Sequence, residues 1–367
     1  MSTKLKPYIN IGPGQIIRRN LEALNWTNKD LADIINMSDK SISLLINNKQ
    51  SITVETARLL AKAFDTTPEF WLNLDQNYRL RNQEEGKAEE DAQQKAEIRK
   101  YMPMLEMKKK GWLFFDRTTE SQIEAYKGFW RQDLLDFSQF TSSELLLTRQ
   151  SKVDENYTKY YTKAWLKKVQ IESSKISVPN YNREALLHLL QSYSNYTVIE
   201  NGINIFIEDI IKCGVKFLVV SHLQKTFLDG AAFMDCTNPV LVFTCRHDRV
   251  DNFWWTVAHE LGHIIKHLHS GTECFMDNLD EKSDNNQEME ADEYAAELLK
   301  VADIKEKAFA YKNYFTEQRL LEIAESLHIN SSVVLGILQF NKVIDYRTLV
   351  KYKKTVLNDI DTKYVRG

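Results

Sequence analysis

Two histidines and a glutamate in the second half of the chain have the spacing of a metal-dependent hydrolase site. His259-Glu260-Leu-Gly-His263 forms the pattern His-Glu-x-x-His. On a helix, residues four apart project from one face about one turn apart, so both imidazoles can reach a single metal ion. Glu260 then lies beside the open coordination position, where it can accept a proton from water. The spacing therefore predicts a zinc site that splits water.

A zinc site of this kind needs a third protein ligand, and an acidic segment downstream supplies candidates. Residues 287–299 contain many strong helix formers and neither Gly nor Pro. Glu288 and Asp292 are four residues apart, so Glu288 can bind the metal while Asp292 accepts a hydrogen bond from a ligating histidine. Glu290 is the rival ligand, because large side chains on its helix face can turn it inward. We prefer Glu288, since only that choice keeps the aspartate in register.

The residues around the first histidine predict that its helix is buried. Phe253, Trp254, Trp255 and Val257 precede His259, and apolar residues continue after it. A buried helix seldom carries two histidines and a glutamate without partners for them. The alternative is that both histidines are hydrogen-bonded core residues and that the acidic residues only form a solvated helix face.

Segments on both sides of the histidine helix resemble a known family. The segments are residues 214–220, 230–235 and 239–244, and the later Glu-x-Glu-Ala-Asp-x-Tyr-Ala-Ala run. In order and spacing over roughly residues 200–300, they look like the ImmA/IrrE family of metallopeptidases. The resemblance implies a zincin-like fold, a Zn(II) cofactor and a bacterial protease that often acts on DNA-binding repressors. Residues 324–339 are similar to the helical tail of members fused to a regulator, with Ile337 where those tails often carry an Arg.

The amino end has the cap and turn pattern of a helix-turn-helix. Residues 14–25 predict a first helix, and Thr27 can cap a second. Asn36 can take the left-handed turn conformation that Gly usually holds, and Ser38 can cap a third helix over residues 39–47. The side chains that face the core in this arrangement are Leu31, Ala32, Ile35, Ile42, Leu45 and Ile46.

Outward side chains of the third helix are candidates for DNA contacts. Lys40, Ser41, Ser43 and Asn47 face a groove in this interpretation, and Lys49 faces phosphate. The segment resembles the Xre-type helix-turn-helix, and residues 68–78 are similar to the closing helix of HigA-type antitoxin regulators. We therefore expect duplex operator DNA as a partner, bound by a homodimer on a two-fold site.

Two departures from the Xre pattern and a small local charge weaken the DNA interpretation. Asn28 begins the second helix where Gln is frequent, and Leu44 stands where an Arg that contacts DNA is common. Residues 1–80 hold ten Lys or Arg and eight Asp or Glu, a surplus of two positive charges. The alternative is a helical bundle that serves only protein contact or dimerisation.

Composition limits the class of protein. A chain of 367 residues with 43% hydrophobic content allows two or three domains, and a formal charge of -3 excludes a protein that is basic throughout. The cysteines show no C-x-x-C spacing, and the sequence has no signal-peptide pattern. No apolar run approaches the twenty residues of a membrane span. We expect a cytoplasmic protein with reduced thiols and no membrane partner.

The predicted fold is mainly α with a small β-sheet (α+β): an all-α helix-turn-helix domain and a zincin-like metallopeptidase domain. From Arg81 to Lys100 apolar residues almost vanish, which is typical of a solvated helical linker. The expected organisation is a DNA-binding domain at 1–80, a charged helical linker at 81–100, a helical region of unknown role at 101–200, a metallopeptidase core at 201–310 and a helical tail at 311–367.

Two functions fit this organisation. In the first, a DNA-binding regulator carries an active zinc protease that cleaves a repressor, an antitoxin or the chain itself. In the second, a non-proteolytic antitoxin or repressor uses the zinc-site domain as a sensor or as a docking module for a toxin. Glu260 favours the first, because a purely structural metal needs ligands but no general base.

Overall fold

The computed structural model describes residues 10–82, 86–138, 153–268, 285–309 and 315–366. The chain divides into two compact units, Met1–Gln93 and Gln94–Gly367. Helices make up most of the described residues, and one three-stranded sheet lies in the second unit. The predicted α+β class is confirmed. The finer boundaries expected at residues 80, 100, 200 and 310 stay predictions.

The first unit is built from short helices whose caps match the sequence pattern. They are α1 (Pro13–Leu24), α2 (Asn28–Ile34), α3 (Asp39–Ile46), α4 (Val54–Ala63) and α5 (Pro68–Asn82). The Thr27 hydroxyl accepts a hydrogen bond from the Asp30 N–H, and the Asp30 carboxylate accepts one from the Thr27 N–H at 2.6 Å. Ser38 caps α3 in the same way, and Asn36 is left-handed with φ 50°. These contacts fix the turn between α2 and α3.

The core of the first unit depends on one close backbone approach. A Cβ atom on Gly14 would lie 2.1 Å from the carbonyl oxygen of Ile46, so only glycine allows α1 to meet the end of α3. The Gly14 N–H donates to Asn48 Oδ1 at 2.7 Å, which fastens the two helices. Trp71 of α5 is fully buried and closes the bundle, with Leu31 and Ile42 in the same apolar cluster.

A helical layer occupies most of the second unit before the sheet. Its helices are α6 (Lys87–Tyr101), which begins in the first unit, α7 (Met104–Lys109), α8 (Thr119–Trp130), α9 (Val153–Ser173), α10 (Arg183–Leu190), α11 (Tyr193–Tyr196) and α12 (Gly202–Lys212). Most of α6 is at least partly exposed, as its charged sequence suggests, but Ile98 and Tyr101 near its end are buried. The end of α6 is therefore anchored in the second unit.

The sheet has the strand order β1-β3-β2. Its strands are β1 (Lys216–Val219), β2 (Gly230–Asp235) and β3 (Asn238–Phe243). β1 pairs with β3 in parallel, with Lys216 opposite Val240, and β2 pairs with β3 antiparallel, with Gly230 opposite Phe243. β2 is thus an edge strand, and its first residue lies at the end of β3 that leads toward the histidine helix.

Alternate residues of the strands are buried in two different apolar clusters. Phe217 and Leu241 belong to a cluster formed with the helices that follow the sheet and with α10 to α12. Leu218 and Val240 belong to a second cluster, which holds side chains of α6 to α9. Since neighbouring residues of a strand face opposite ways, the sheet is covered on both faces. Much of the 101–200 region therefore forms a cover for the second face.

The helices after the sheet carry the histidine motif and its acidic partner. They are α13 (Val250–Lys266), α14 (Asn285–Leu298), α15 (Val301–Phe309), α16 (Glu317–Leu327) and α17 (Ser331–Phe340), followed by 3₁₀ turns at Val350–Tyr352, Leu357–Asp359 and Thr362–Tyr364. α13 is buried along most of its length, including Phe253 and Trp254. The predicted burial of this helix is confirmed.

One pair of helices has the length and composition of a membrane span. Among the described residues, no single helix is both long enough and apolar enough to cross a bilayer. A bent pair, Glu317–Leu327 with Ser331–Phe340, passes by length and composition, with an angle of 112° between its helices. Leu320, Val334 and Leu338 of this pair are fully buried in the apolar cluster of the second unit.

Candidate functional site

Two antiparallel helices bring the predicted metal ligands together. His259 of α13 contacts Asp292 of α14, whereas His263, one turn later on α13, contacts Glu288, one turn earlier on α14. A Cβ atom on Gly262 would lie 3.0 Å from the Cα of Ala291, so the helices meet almost backbone to backbone. This close packing lets short acidic side chains of α14 reach the imidazoles of α13.

The three predicted ligands converge on one point. The Nε2 atoms of His259 and His263 are 3.0 Å apart, and the Glu288 carboxylate oxygens lie 3.3 Å from the first and 3.7 Å from the second. Two ligands bound about 2.1 Å from one tetrahedral zinc ion sit about 3.4 Å apart, so this donor set fits zinc. Among the described residues, this trio is the group of acidic, histidine and cysteine side chains that could hold a metal ion.

The outer nitrogen of each histidine contacts a further polar group. His259 Nδ1 donates to Asp292 Oδ1 at 2.9 Å, in the arrangement predicted from the i+4 register. His263 Nδ1 lies 3.1 Å from Nδ1 of His267, and His267 Nε2 lies 3.1 Å from a Glu290 carboxylate oxygen. If His263 donates to His267 and His267 donates to Glu290, all these contacts are satisfied by neutral rings, and both inner Nε2 atoms are left as acceptors for a metal.

The rival ligand Glu290 therefore lies at a different place from Glu288. Its carboxylate is held by His267, whereas Glu288 faces the two motif histidines. This placement supports Glu288 as the third ligand, and that assignment stays a prediction. The pairing of His267 with Glu290 was not predicted from the sequence. One signal was available, because His267 follows His263 at the same four-residue spacing that joins the motif histidines.

Glu260 is buried beside the ligand cluster. Its side chain meets the first residue of β2, where a Cβ on Gly230 would lie 2.6 Å from Glu260 Oε1. Burial, followed by the nearby Glu288 and Asp229 carboxylates, raises the pKa of Glu260 to about 8. A cation between Glu288 and the histidines opposes this effect, since it favours the carboxylate form. Like the pairing of His267 with Glu290, the contact of Gly230 with Glu260 was not predicted from the sequence.

The imidazole of His263 is neutral in this environment. Burial, and then the neighbouring His259 and His267 rings, lower the pKa of His263 to about 4. A neutral imidazole is the form that binds a metal ion through its free nitrogen. The neutral state of His263 therefore agrees with its position as a metal ligand beside His259 and Glu288.

The predicted DNA-contacting residues lie at the surface of the first unit. Lys40, Ser43, Asn47 and Lys49 are exposed, and Ser41 is half-buried. The Ser41 hydroxyl lies 2.9 Å from the Ser38 hydroxyl, and the Asn47 amide donates to the Ser43 carbonyl at 2.8 Å. Ile42, Leu45 and Ile46 on the opposite face of α3 are buried, as predicted. α3 thus presents a polar face, and its contact with DNA stays a prediction.

Family models match both units of the chain. A helix-turn-helix model covers residues 17–71, and a peptidase M78 model, described as an IrrE N-terminal-like domain, covers residues 202–335. An uncharacterized HTH-type transcriptional regulator of Haemophilus influenzae is 48% identical over 62 residues, which are 17% of this chain and 58% of that protein. YddM of Escherichia coli K12, also described as an uncharacterized HTH-type transcriptional regulator, is 31% identical over 68 residues, 18% of this chain and 72% of that protein.

The chain belongs to the helix-turn-helix family of transcriptional regulators. Behind its helix-turn-helix it carries a metallopeptidase-like domain of the ImmA/IrrE type, as expected from residues 214–244 and the two site helices. YbaQ of Escherichia coli K12, another uncharacterized HTH-type transcriptional regulator, is 46% identical over 63 residues, which are 17% of this chain and 56% of that protein. The chain thus spans a little over half the length of these relatives.

Solved structures also match this helix-turn-helix regulator over a short part of its length. An addiction module antidote protein of a HigA family from Coxiella burnetii is 39% identical, with 19% of this chain and 78% of that chain covered, and a TM-score of 0.19. A hypothetical protein from Escherichia coli is 36% identical, with 23% and 87% covered and a TM-score of 0.22.

Proposed function

We propose that this regulator is a zinc-dependent peptidase that cleaves a protein substrate and binds duplex DNA through its first domain. The observation that carries the peptidase proposal is the convergence of His259, His263 and Glu288 with Glu260 buried beside them. Three protein ligands leave one position of a tetrahedral zinc ion open, as in catalytic zinc sites. A structural zinc site is closed by a fourth ligand and has no use for an adjacent carboxylate.

The chemistry divides between the metal and the side chains. When bound, zinc supplies a Lewis acid that polarises a peptide carbonyl and acidifies a water molecule. Glu260 accepts a proton from the attacking water and delivers it to the leaving amine, so that the carboxylate is regenerated at the end of the cycle. Asp292 orients His259, and His267 with Glu290 orients His263, through the hydrogen bonds described above.

The surface of the first domain supports the proposal that this protein binds DNA. α3 presents Lys40, Ser43 and Asn47 to solvent above a buried apolar face, which is how a recognition helix is built. A homodimer would place two such helices on a two-fold operator. The substrate class that fits a regulator of this kind is a regulatory protein: a repressor, an antitoxin or the chain itself.

Substitution of Glu260 by Gln tests the peptidase proposal. The amide keeps the size of the side chain but cannot accept the proton, so hydrolysis should fall by roughly two to four orders of magnitude while zinc content is retained. Glu293→Gln on the exposed face of α14 is the matched control and should leave hydrolysis unchanged. The measurement is zinc analysis of the purified chain together with mass spectrometry of new protein termini in cells that express each variant.

Two outcomes separate this proposal from the alternatives. New termini that appear with the wild type and with Glu293→Gln but vanish with Glu260→Gln support an active peptidase. The same termini in all three cell lines, with unchanged transcription of the regulated genes, favour a non-proteolytic sensor or toxin-docking module.

A further inference from the structure

A cavity of about 390 Å³ begins about one helical turn from the ligand cluster. Trp255 lines it from α13, one turn before His259 on the same face, and Leu299 lines it from the end of α14, seven residues after Asp292. Since the helices run antiparallel, these two residues lie on the same side of the ligand cluster. The cavity therefore lies about one helical turn from His259, on one side of the ligand cluster.

The cavity comes near Glu260 through Asp229. Asp229 lines the cavity and immediately precedes Gly230, the residue that meets the Glu260 side chain. The Asp229 carboxylate is close enough to raise the pKa of Glu260, as described above. A side chain of a substrate residue next to the scissile bond would thus have a short path into the cavity.

α17 forms the third wall, and its buried lining is apolar. Val333 and Ile337 are buried, as is Leu299, and Phe340 stacks at a tilt beside Trp255 with ring centroids 6.1 Å apart. A Cβ on Gly336 would lie 2.3 Å from an Asp251 carboxylate oxygen, so glycine lets α17 come this close to α13. The buried floor thus comes from apolar side chains of α17 and from Leu299 just after α14, with the partly buried Trp255 of α13 beside them.

The charged groups of the lining are in ion pairs. The Arg249 guanidinium binds the Asp251 carboxylate through two nitrogen atoms, and Asp229 lies 3.5 Å from Arg246, which is outside the lining. The more exposed lining residues are the polar Asp229, His247 and Tyr346 together with one apolar ring, Phe340. An apolar floor with a polar rim is the usual build of a pocket that binds an apolar group.

We infer that this cavity is the specificity subsite of the peptidase and takes a large apolar side chain, such as Leu or Phe, adjacent to the scissile bond. The inference rests on the proposed function, because it assigns a substrate class to the same site. A charged side chain entering the floor would lose its hydration, while the nearby ion pairs already satisfy each other. A small side chain would not fill the space beside the Trp255 and Phe340 rings.

Phosphinic tripeptides test the inference, since the phosphinic group binds zinc as a mimic of the tetrahedral transition state. In one series Phe, Leu, Ala or Asp stands before the phosphinic group, and in the other it stands after it. Titration calorimetry on the zinc-loaded full chain should give, in one series, Kd values for Phe and Leu about 10- to 100-fold below that for Ala. Asp in that series should bind no better than Ala.

Phe340→Ala tests the position of the subsite. Phe340 is 69% exposed, so its removal should leave the fold intact, and zinc content checks this directly. The variant should reduce the preference for Phe over Ala by about 2- to 10-fold, because one aromatic contact is lost. Phe114→Ala removes an exposed ring (85%) that does not line the cavity and should leave the preference unchanged.

The outcomes distinguish the subsite from the peptidase itself. Equal Kd values for Phe, Ala and Asp in both series, or a preference that Phe340→Ala leaves intact, would overturn the subsite and leave the proposed peptidase standing. If no phosphinic tripeptide binds to the zinc-loaded chain, the proposed function fails and the subsite fails with it.

Discussion

The sequence offers two acidic residues as the third metal ligand, Glu288 and Glu290, and in the structure they contact different histidines. Glu288 faces the Nε2 atoms of His259 and His263, and Glu290 binds His267 on the outer side of His263. Removing a direct ligand should therefore affect metal binding more than removing a group that only orients a ligand.

The zinc affinities of Glu288→Gln and Glu290→Gln test whether Glu288 is a direct ligand and Glu290 only orients one. We expect Glu288→Gln to abolish stoichiometric zinc binding, since two histidines alone leave the site incomplete. Glu290→Gln should retain one zinc per chain with affinity weakened by about 10- to 100-fold. Competition with a fluorescent chelator gives both values. Loss of metal from the Glu290 variant alone would show that our third ligand is wrong.

Helical spacing in the sequence predicts which side chains of the candidate site share a helix face. His259 with His263, and Glu288 with Asp292, are each four residues apart, so their common faces follow from helix geometry. The contact of His267 with Glu290 joins two different helices, and its existence depends on how closely those helices pack. Local spacing holds no information on that distance, which is why this pair was missed.

Among the structural elements, the interface of α13 and α14 sets the geometry of the whole site. Gly262 and Ala291 form its tightest approach, since an added Cβ at Gly262 already lies 3.0 Å from the Ala291 backbone. The sequence shows a small residue on each helix but not that the two meet. A side chain at position 262 would crowd the Ala291 backbone, and a branched one would crowd it most.

Gly262→Val should accordingly damage both the fold and the metal site. We expect a loss of about 1–3 kcal/mol in the free energy of unfolding from overpacking, and weaker zinc binding because Glu288 moves away from the histidines. Gly128→Val on α8 is the matched control, because nothing lies within 4 Å of an added Cβ there and valine is a better helix former than glycine. Thermal unfolding and zinc titration of both variants check this. Equal stability of the two would show that the helices are not held at contact distance.

Elements formed by local chemistry were easier to predict than elements formed by packing. The caps at Thr27 and Ser38 and the left-handed Asn36 are local, and the structure confirms them. The role of the 101–200 region was not predictable. Trp165 and Tyr126 are buried in the cluster on the second face of the sheet, and that burial depends on strands far away in sequence.

For the whole molecule, net charge says little about a DNA-binding role. The chain carries a formal charge of -3, and residues 1–80 have a surplus of two positive charges. Affinity for phosphate must therefore come from a few placed side chains rather than from a basic surface. Lys40 at the exposed face of α3 is the cation best placed for this by the helix-turn-helix pattern.

Lys40→Glu in the full chain tests the DNA interaction. Reversal of one charge near phosphate should weaken binding to a mixed-sequence duplex of about 30 base pairs by roughly 10-fold or more at low salt, and should lower the slope of log Kd against log salt concentration by about one. Lys62→Glu makes the same change of net charge at an exposed position on α4 and serves as the control. Fluorescence anisotropy over a series of salt concentrations gives Kd and slope together. Equal loss in the two variants would mean that binding follows net charge and not α3, and no affinity of the wild-type chain at low salt would leave the first domain as a bundle for protein contact.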